Sequence, residues 1–118
     1  MKIFISQPMA DKTDEQIKKE RKIAANIIKE MYPDEEVEII DSFFEGAPHD
    51  AKPLWFLGES FKKLSGADIA VFIGDWRDYR GCKMEFNAAN EYGIETSEIP
   101  YELIYETILK QDNDSEGE

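Results

Sequence analysis

Ile69-Ala70-Val71-Phe72-Ile73 is an unbroken apolar run, with Ala67-Asp68 before it and Gly74-Asp75-Trp76 after it. Five apolar residues without polar alternation suit a strand covered on both faces, as in the centre of a parallel sheet. On the N-terminal side, Pro53 opens a helix whose buried face is expected at Leu54, Leu57, Phe61 and Leu64, with Gly66 as its stop. On the C-terminal side, a polar loop over 74–80 leads into a helix over Gly81 to Tyr92. Met84, Ala88, Ala89 and Tyr92 lie on one side of that helix, and Gly93 is its C-cap.

Further upstream the same alternation continues. Lys2 to Ser6 is a short apolar strand, followed at once by the turn Gln7-Pro8-Met9-Ala10. Thr13 with Gln16 forms a capping-box pattern, and Asp14 and Glu15 suit the positive helix end. Ile17, Arg21, Ala24, Ile28 and Met31, with Ile27 beside them, predict a helix of about 18 residues ended by Pro33. Val37 to Ile40 predicts a second strand, running into Asp41-Ser42-Phe43-Phe44 and a loop with Gly46 and Pro48. Ile94 to Tyr101 is a candidate for a further short strand, and 101–110 suits strand or helix.

The order β-α-β-α-β-α predicts an α/β fold: one three-layer domain over residues 1–111, with a mostly parallel, doubly wound sheet of four to five strands, flavodoxin- or Rossmann-like. Residues 112–118 carry four acids and no apolar side chain, the composition of a disordered tail.

Composition narrows the function. The chain has 118 residues and 42% apolar content, enough for a true core. Its net charge of −12 argues against nucleic acid, which needs a basic footprint. No apolar run reaches the roughly 20 residues of a membrane span, and Met1 to Ser6 lacks the pattern of a secretory signal. With one cysteine, Cys82, and hence no internal disulfide, a cytoplasmic protein is expected.

Ligands in such sheets bind at the carboxyl ends of the strands, near a topological switch point. That selects three loops. The first offers Ser6, Gln7, Pro8 and Met9. The second offers Asp41, Ser42, His49 and Asp50. The third offers Asp75, Trp76, Asp78, Tyr79, Arg80 and Gly81, with Arg80 beside a helix N-terminus as a phosphate clamp. Glu85 stands one turn into the following helix and leans back toward these loops, near Asp75, Asp78 and Asp68. Clustered carboxylates suit double displacement at a sugar carbon. A solvated first-turn glutamate is the simpler reading of Glu85. His49 is read as a loop residue, so no metal cluster is available, and Cys82 as a packing residue. Trp55, Phe56, Trp76 and Tyr79 are read as core or pocket-wall aromatics, with stacking on a base as the alternative for Trp76 or Tyr79.

Taken in order, Ile3-Phe4-Ile5-Ser6-Gln7-Pro8-Met9, Ala67-Asp68-Ile69-Ala70-Val71, Arg80-Gly81-Cys82-Lys83-Met84-Glu85-Phe86-Asn87-Ala88-Ala89 and Tyr92-Gly93-Ile94 resemble the nucleoside 2-deoxyribosyltransferase superfamily, including its small, often phage-encoded members. The resemblance spans residues 1–95. It implies that Glu85 is a nucleophile at C1′ of a 2′-deoxyribonucleoside or its 5′-monophosphate, acting without cofactor or metal. Asp68, or an acid of the next loop such as Asp78, would hold the sugar or assist the leaving base. The Ser6–Gln7 loop and Arg80 would hold the 5′ end. Transfer to a base makes a transferase, and transfer to water an N-hydrolase, in a homodimer or larger oligomer. The family's usual glycines are Gln7 and Asn87 here, and Tyr79 stands where an aspartate or serine is common. A nucleotide-binding module without turnover is the alternative.

Overall fold

A computed structural model describes residues 1–41 and 49–116, with side chains through Lys110. The expectations placed on Ser42, Phe43, Phe44, Gly46 and Pro48 lie outside the described residues. The elements are β1 (Lys2–Ser6), α1 (Asp14–Met31), β2 (Glu38–Ile39), α2 (Pro53–Leu64), β3 (Ile69–Ile73), α3 (Arg80–Glu91), β4 (Glu95–Ile99) and α4 (Tyr101–Glu116). The four strands form one parallel sheet in the order β2-β1-β3-β4, and helices cover both faces, so the fold is three-layered and Rossmann-like.

Strand β3 is buried at all five positions, as its unbroken apolar run requires. It pairs with β1 from Ile3↔Ile69 to Ser6↔Phe72 and with β4 from Ile69↔Glu95 to Ile73↔Ile99. Alternate residues point to opposite faces. Ile3, Ile5, Val71 and Ile73 meet α1 and α4 through Ile23, Ala24, Ile28 and Ile104. Phe4, Ala70 and Phe72 meet α2 and α3 through Leu64, Cys82 and Ala89.

The helix signals are realised locally. Thr13 caps α1: Gln16 N donates to Thr13 Oγ1 at 3.1 Å, and Thr13 N donates to Gln16 Oε1 at 3.0 Å. Gly93, at φ +73°, follows α3 in a Schellman arrangement, with Gly93 N donating to Asn90 O and Ile94 N to Ala89 O. Strand β2 is shorter than the Val37–Ile40 expected, only Glu38 and Ile39. Residues 101–110 are helical, and α4 carries its backbone through Glu116, past the boundary expected at 111.

Three helical faces differ from expectation. In α1, Glu20 and Ile23 are buried and Met31 is exposed. In α2 only Leu64 is buried, while Leu54 is 76% exposed and Phe61 is also exposed. In α3 the inner face is Cys82, Glu85 and Ala89, at i, i+3 and i+7, whereas Met84 is exposed and Tyr92 is 86% exposed. Leu54 and Met84 line a depression between α2 and α3 rather than the core.

Candidate functional site

The sheet order places the switch point between β1 and β3, because the connection from β1 leads to β2 on one side and β3 lies on the other. A cleft of about 560 Å³ opens there. The loop after β1 supplies Gln7, Pro8, Met9 and Ala10. Helix α2 supplies Pro53, Phe56, Leu57 and Ser60, whose i, i+3, i+4, i+7 spacing puts them on one face. The start of α3 supplies Tyr79, Gly81, Cys82 and Glu85.

Glu85 is the one acid lining this cleft among the described residues, and it is only 8% exposed. Burial disfavours its charged form and pushes its pKa up to about 7, an effect partly offset by the Ser6 hydroxyl. Ser6 is the last residue of β1 and is wholly buried. Its hydroxyl lies close enough to stabilise the anions of both Glu85 and Cys82, yet meets no partner in full hydrogen-bond geometry. Burial, Glu85 and Asp75 hold the Cys82 thiol up at about 11, so it is protonated at neutral pH and no nucleophile. Gln7 is fixed by donation from Nε2 to the Ile17 carbonyl at 2.7 Å, and its Oε1 is buried without a hydrogen bond.

The structure thus brings together Ser6, Gln7, Pro8, Met9, Tyr79, Gly81 and Glu85. It separates the rest. Asp68 stands at the amino end of β3, one strand length from the cleft (about 16 Å of extended chain). There its Oδ2 accepts from Lys2 N at 2.7 Å, holding β1 to the start of β3. The expected catalytic role of Asp68 is therefore corrected to a strand-end anchor. Asp78 is exposed in a 3-10 turn over Trp76–Asp78 and does not line the cleft, so the expected carboxylate cluster around Glu85 is not formed by Asp68, Asp75 and Asp78.

Trp76 is core, not a stacking platform. It packs on Phe72 and Phe86 at centroid distances of 5.0 and 4.6 Å, and its Nε1 donates to Glu98 at 2.9 Å. Glu98 also takes Arg77 at 2.8 Å, which keeps its carboxyl below the ordinary range. Asp75 is exposed and does not line the cleft, though its charge acts on both Cys82 and Tyr101. Asp41 is exposed, within electrostatic reach of Arg21, which donates to the Ile40 carbonyl at 2.6 Å. Arg80 lines a neighbouring depression of about 470 Å³ with Lys52, and that depression shares Pro53, Leu57 and Gly81 with the cleft. His49 and Asp50 are exposed.

The α2 wall, Phe4, Ile5, Ala10 and Cys82 are the lining residues that sequence reasoning missed. The signal was present in the Pro53–Phe56–Leu57–Ser60 spacing, but a cleft wall and a core face give the same period. Among the described residues no group of three or more His, Cys, Asp or Glu is placed to hold a metal, and no helix is long and apolar enough to cross a membrane. No family model, curated protein or solved structure matches the chain. What fold and site define is a class: a Rossmann-like α/β protein whose largely apolar switch-point cleft holds, among the described residues, one buried carboxyl.

Proposed function

We propose that the protein cleaves or transfers the N-glycosidic bond of 2′-deoxyribonucleosides or their 5′-monophosphates, with Glu85 as the nucleophile. One observation carries the reading: Glu85 is the sole acid among the described cleft-lining residues, held on the inner face of α3 at the switch point. The family resemblance of residues 1–95 supports the same assignment.

In the proposed reaction a carboxylate oxygen of Glu85 attacks C1′. The C1′–N bond breaks, its electron pair stays on the base nitrogen, and that nitrogen takes a proton from solvent. Water or a second base then attacks C1′, the ester bond to Glu85 breaks, and the carboxylate is regenerated while the attacking group loses its proton. Two inversions give retention. No cofactor takes part. The apolar walls from α2 and Tyr79 suit the base. A 5′-phosphate belongs in the adjoining depression, beside Lys52 and Arg80. Assembly as a homodimer or larger homo-oligomer is part of the proposal.

A second reading is favoured by a specific observation: no second carboxylate lines the cleft among the described residues. A nucleotide-binding module of the same fold needs none.

The test is incubation with each deoxynucleoside and its 5′-monophosphate, with and without a second base, followed by chromatography of released or exchanged base. Turnover is expected, lost by at least about a thousandfold in Glu85→Gln, and kcat/KM is expected to fall as pH drops below about 7, because the nucleophile must be ionised. Absence of turnover, with a nucleotide still raising the melting temperature, would establish the binding module instead.

A further inference from the structure

We infer that Tyr101 is a positioning residue of the cleft: from the opposite face of the sheet, its hydroxyl on Lys12 and its ring on Gly74 join the two loops that build the site. The inference rests on the cleft being the ligand site proposed above. Lys12 belongs to the loop after β1, and Asp75 to the loop after β3. Lys12 Nζ donates to Glu20 at 3.0 and 3.3 Å and to the Tyr101 hydroxyl. The Tyr101 ring packs on Gly74, the first residue of the loop after β3, and the neighbouring Asp75 lies within electrostatic reach of its hydroxyl. Tyr105 closes the chain by donating to Glu20 at 3.0 Å.

The surroundings are built for this contact. Tyr101 sits at the start of α4 with its ring packed on Gly74, where an added Cβ would overlap the ring and where φ is +68°. The chain also takes a positive φ, 63°, at Asp11, a non-glycine residue directly before Lys12. Glu20 is a charged residue only 2% exposed, and Lys12 is what neutralises it. Burial, Glu20 and Asp75 all raise the Tyr101 pKa. The group therefore remains a hydroxyl that accepts from Lys12. A network that only fastened α4 to α1 would need Tyr105 and Glu20. Tyr101 adds the link from one cleft loop to the other.

Cys82 makes this testable without a ligand. It is the chain's one cysteine, it lines the cleft, and it is 5% exposed, so its alkylation by iodoacetamide reports opening of the loops. Tyr101→Phe keeps the ring against Gly74 and removes only the hydroxyl. Alkylation is expected to accelerate about tenfold in Tyr101→Phe and in Lys12→Met, the factor expected for losing a hydrogen bond to a charged group. The control Ile28→Val lowers global stability at a site away from the loops, and is expected to leave the Cys82 rate unchanged. Unchanged rates in both loop variants, or an equal acceleration in Ile28→Val, would overturn the inference. Where the protein turns over a deoxynucleoside, Tyr101→Phe is also expected to raise KM while kcat stays within about twofold. Where it does not, the Cys82 rates still decide.

Discussion

On the α1/α4 face of the sheet, Ile3, Ile5, Val71 and Ile73 close against Ile23, Ile28 and Ile104, and the polar residues at its edge, Lys12, Glu20, Tyr101 and Tyr105, bond one another. On the α2/α3 face, Phe4, Phe72, Trp76 and Phe86 pack as a smaller aromatic cluster. There Ser6 Oγ is buried without a hydrogen bond and α2 buries a single residue, whereas on the α1 side the unpaired buried atoms are Arg21 Nη1 and, at the sheet's end, Gln7 Oε1. The same four strands thus have one face that is finished and one that is not. Burial of apolar area and paired polar groups stabilise the first. The second leaves a carboxyl out of water and a wall of side chains over open space, both unfavourable to the fold and both useful to a ligand.

The largest effect that would sharpen this contrast is a cavity on the finished face. Ile28 is wholly buried there, and Ile28→Ala is expected to cost about 4 kcal/mol in urea unfolding while leaving the pH dependence of the cleft unchanged. A loss below about 1 kcal/mol would break the contrast, by showing that this face is not where stability resides.

Next comes Glu85→Gln, of opposite sign. Its carboxyl rises from 4.5 unfolded to about 7 folded. The folded state therefore holds the proton more tightly, so stability is greatest below the unfolded value and falls as pH climbs toward and past 7. The shift corresponds to about 3 kcal/mol, of which the buried amide of glutamine returns part, so Glu85→Gln is expected to stabilise the protein by about 2 kcal/mol near pH 8. The same substitution is expected to flatten the stability curve between about pH 5 and 8. A variant no more stable than wild type at pH 8 would show that Glu85 is solvated.

The smallest effect concerns Ser6. Removing its hydroxyl in Ser6→Ala is expected to raise the Glu85 midpoint by about half a unit, followed by the carboxyl carbon resonance, with under about 1 kcal/mol change in stability near pH 5. A midpoint that stays put would remove Ser6 from the site.

How much of this was visible in the residues follows the same division. The strands β1 and β3, the capped start of α1 and the glycine exit of α3 were legible because each is written in neighbouring residues. The place of Glu85 was legible too, through the rule that sites lie at the carboxyl ends of parallel strands. Asp68 precedes its strand and so lies at the other end of the sheet, which the lean of Glu85 toward the loops did not distinguish. For Trp76 the residues left core and pocket wall undecided, because its partners Phe72 and Phe86 come together only through the packing of α3 on β3. The Lys12–Glu20–Tyr101 network was invisible for a similar reason: its members are separated by loops and by most of the sheet, and no spacing encodes them.

The strand order has a further bearing, on how the chain is made. Strand β1 emerges from the ribosome early, but its four-position ladder is with β3, whose partner residues lie 66 positions later, while β2 offers it only two. Until β3 is synthesised, β1 has a nearly bare edge. Then β3 arrives as five consecutive apolar residues that need partners on both sides, one of them, β4, still unmade. A chain in which β3 has not yet paired with β4 is therefore the folding species most open to aggregation. The alternation of Glu95, Thr96, Ser97 and Glu98 along β4 then leaves the finished sheet with a polar, charged outer edge that discourages pairing with a neighbour's strand.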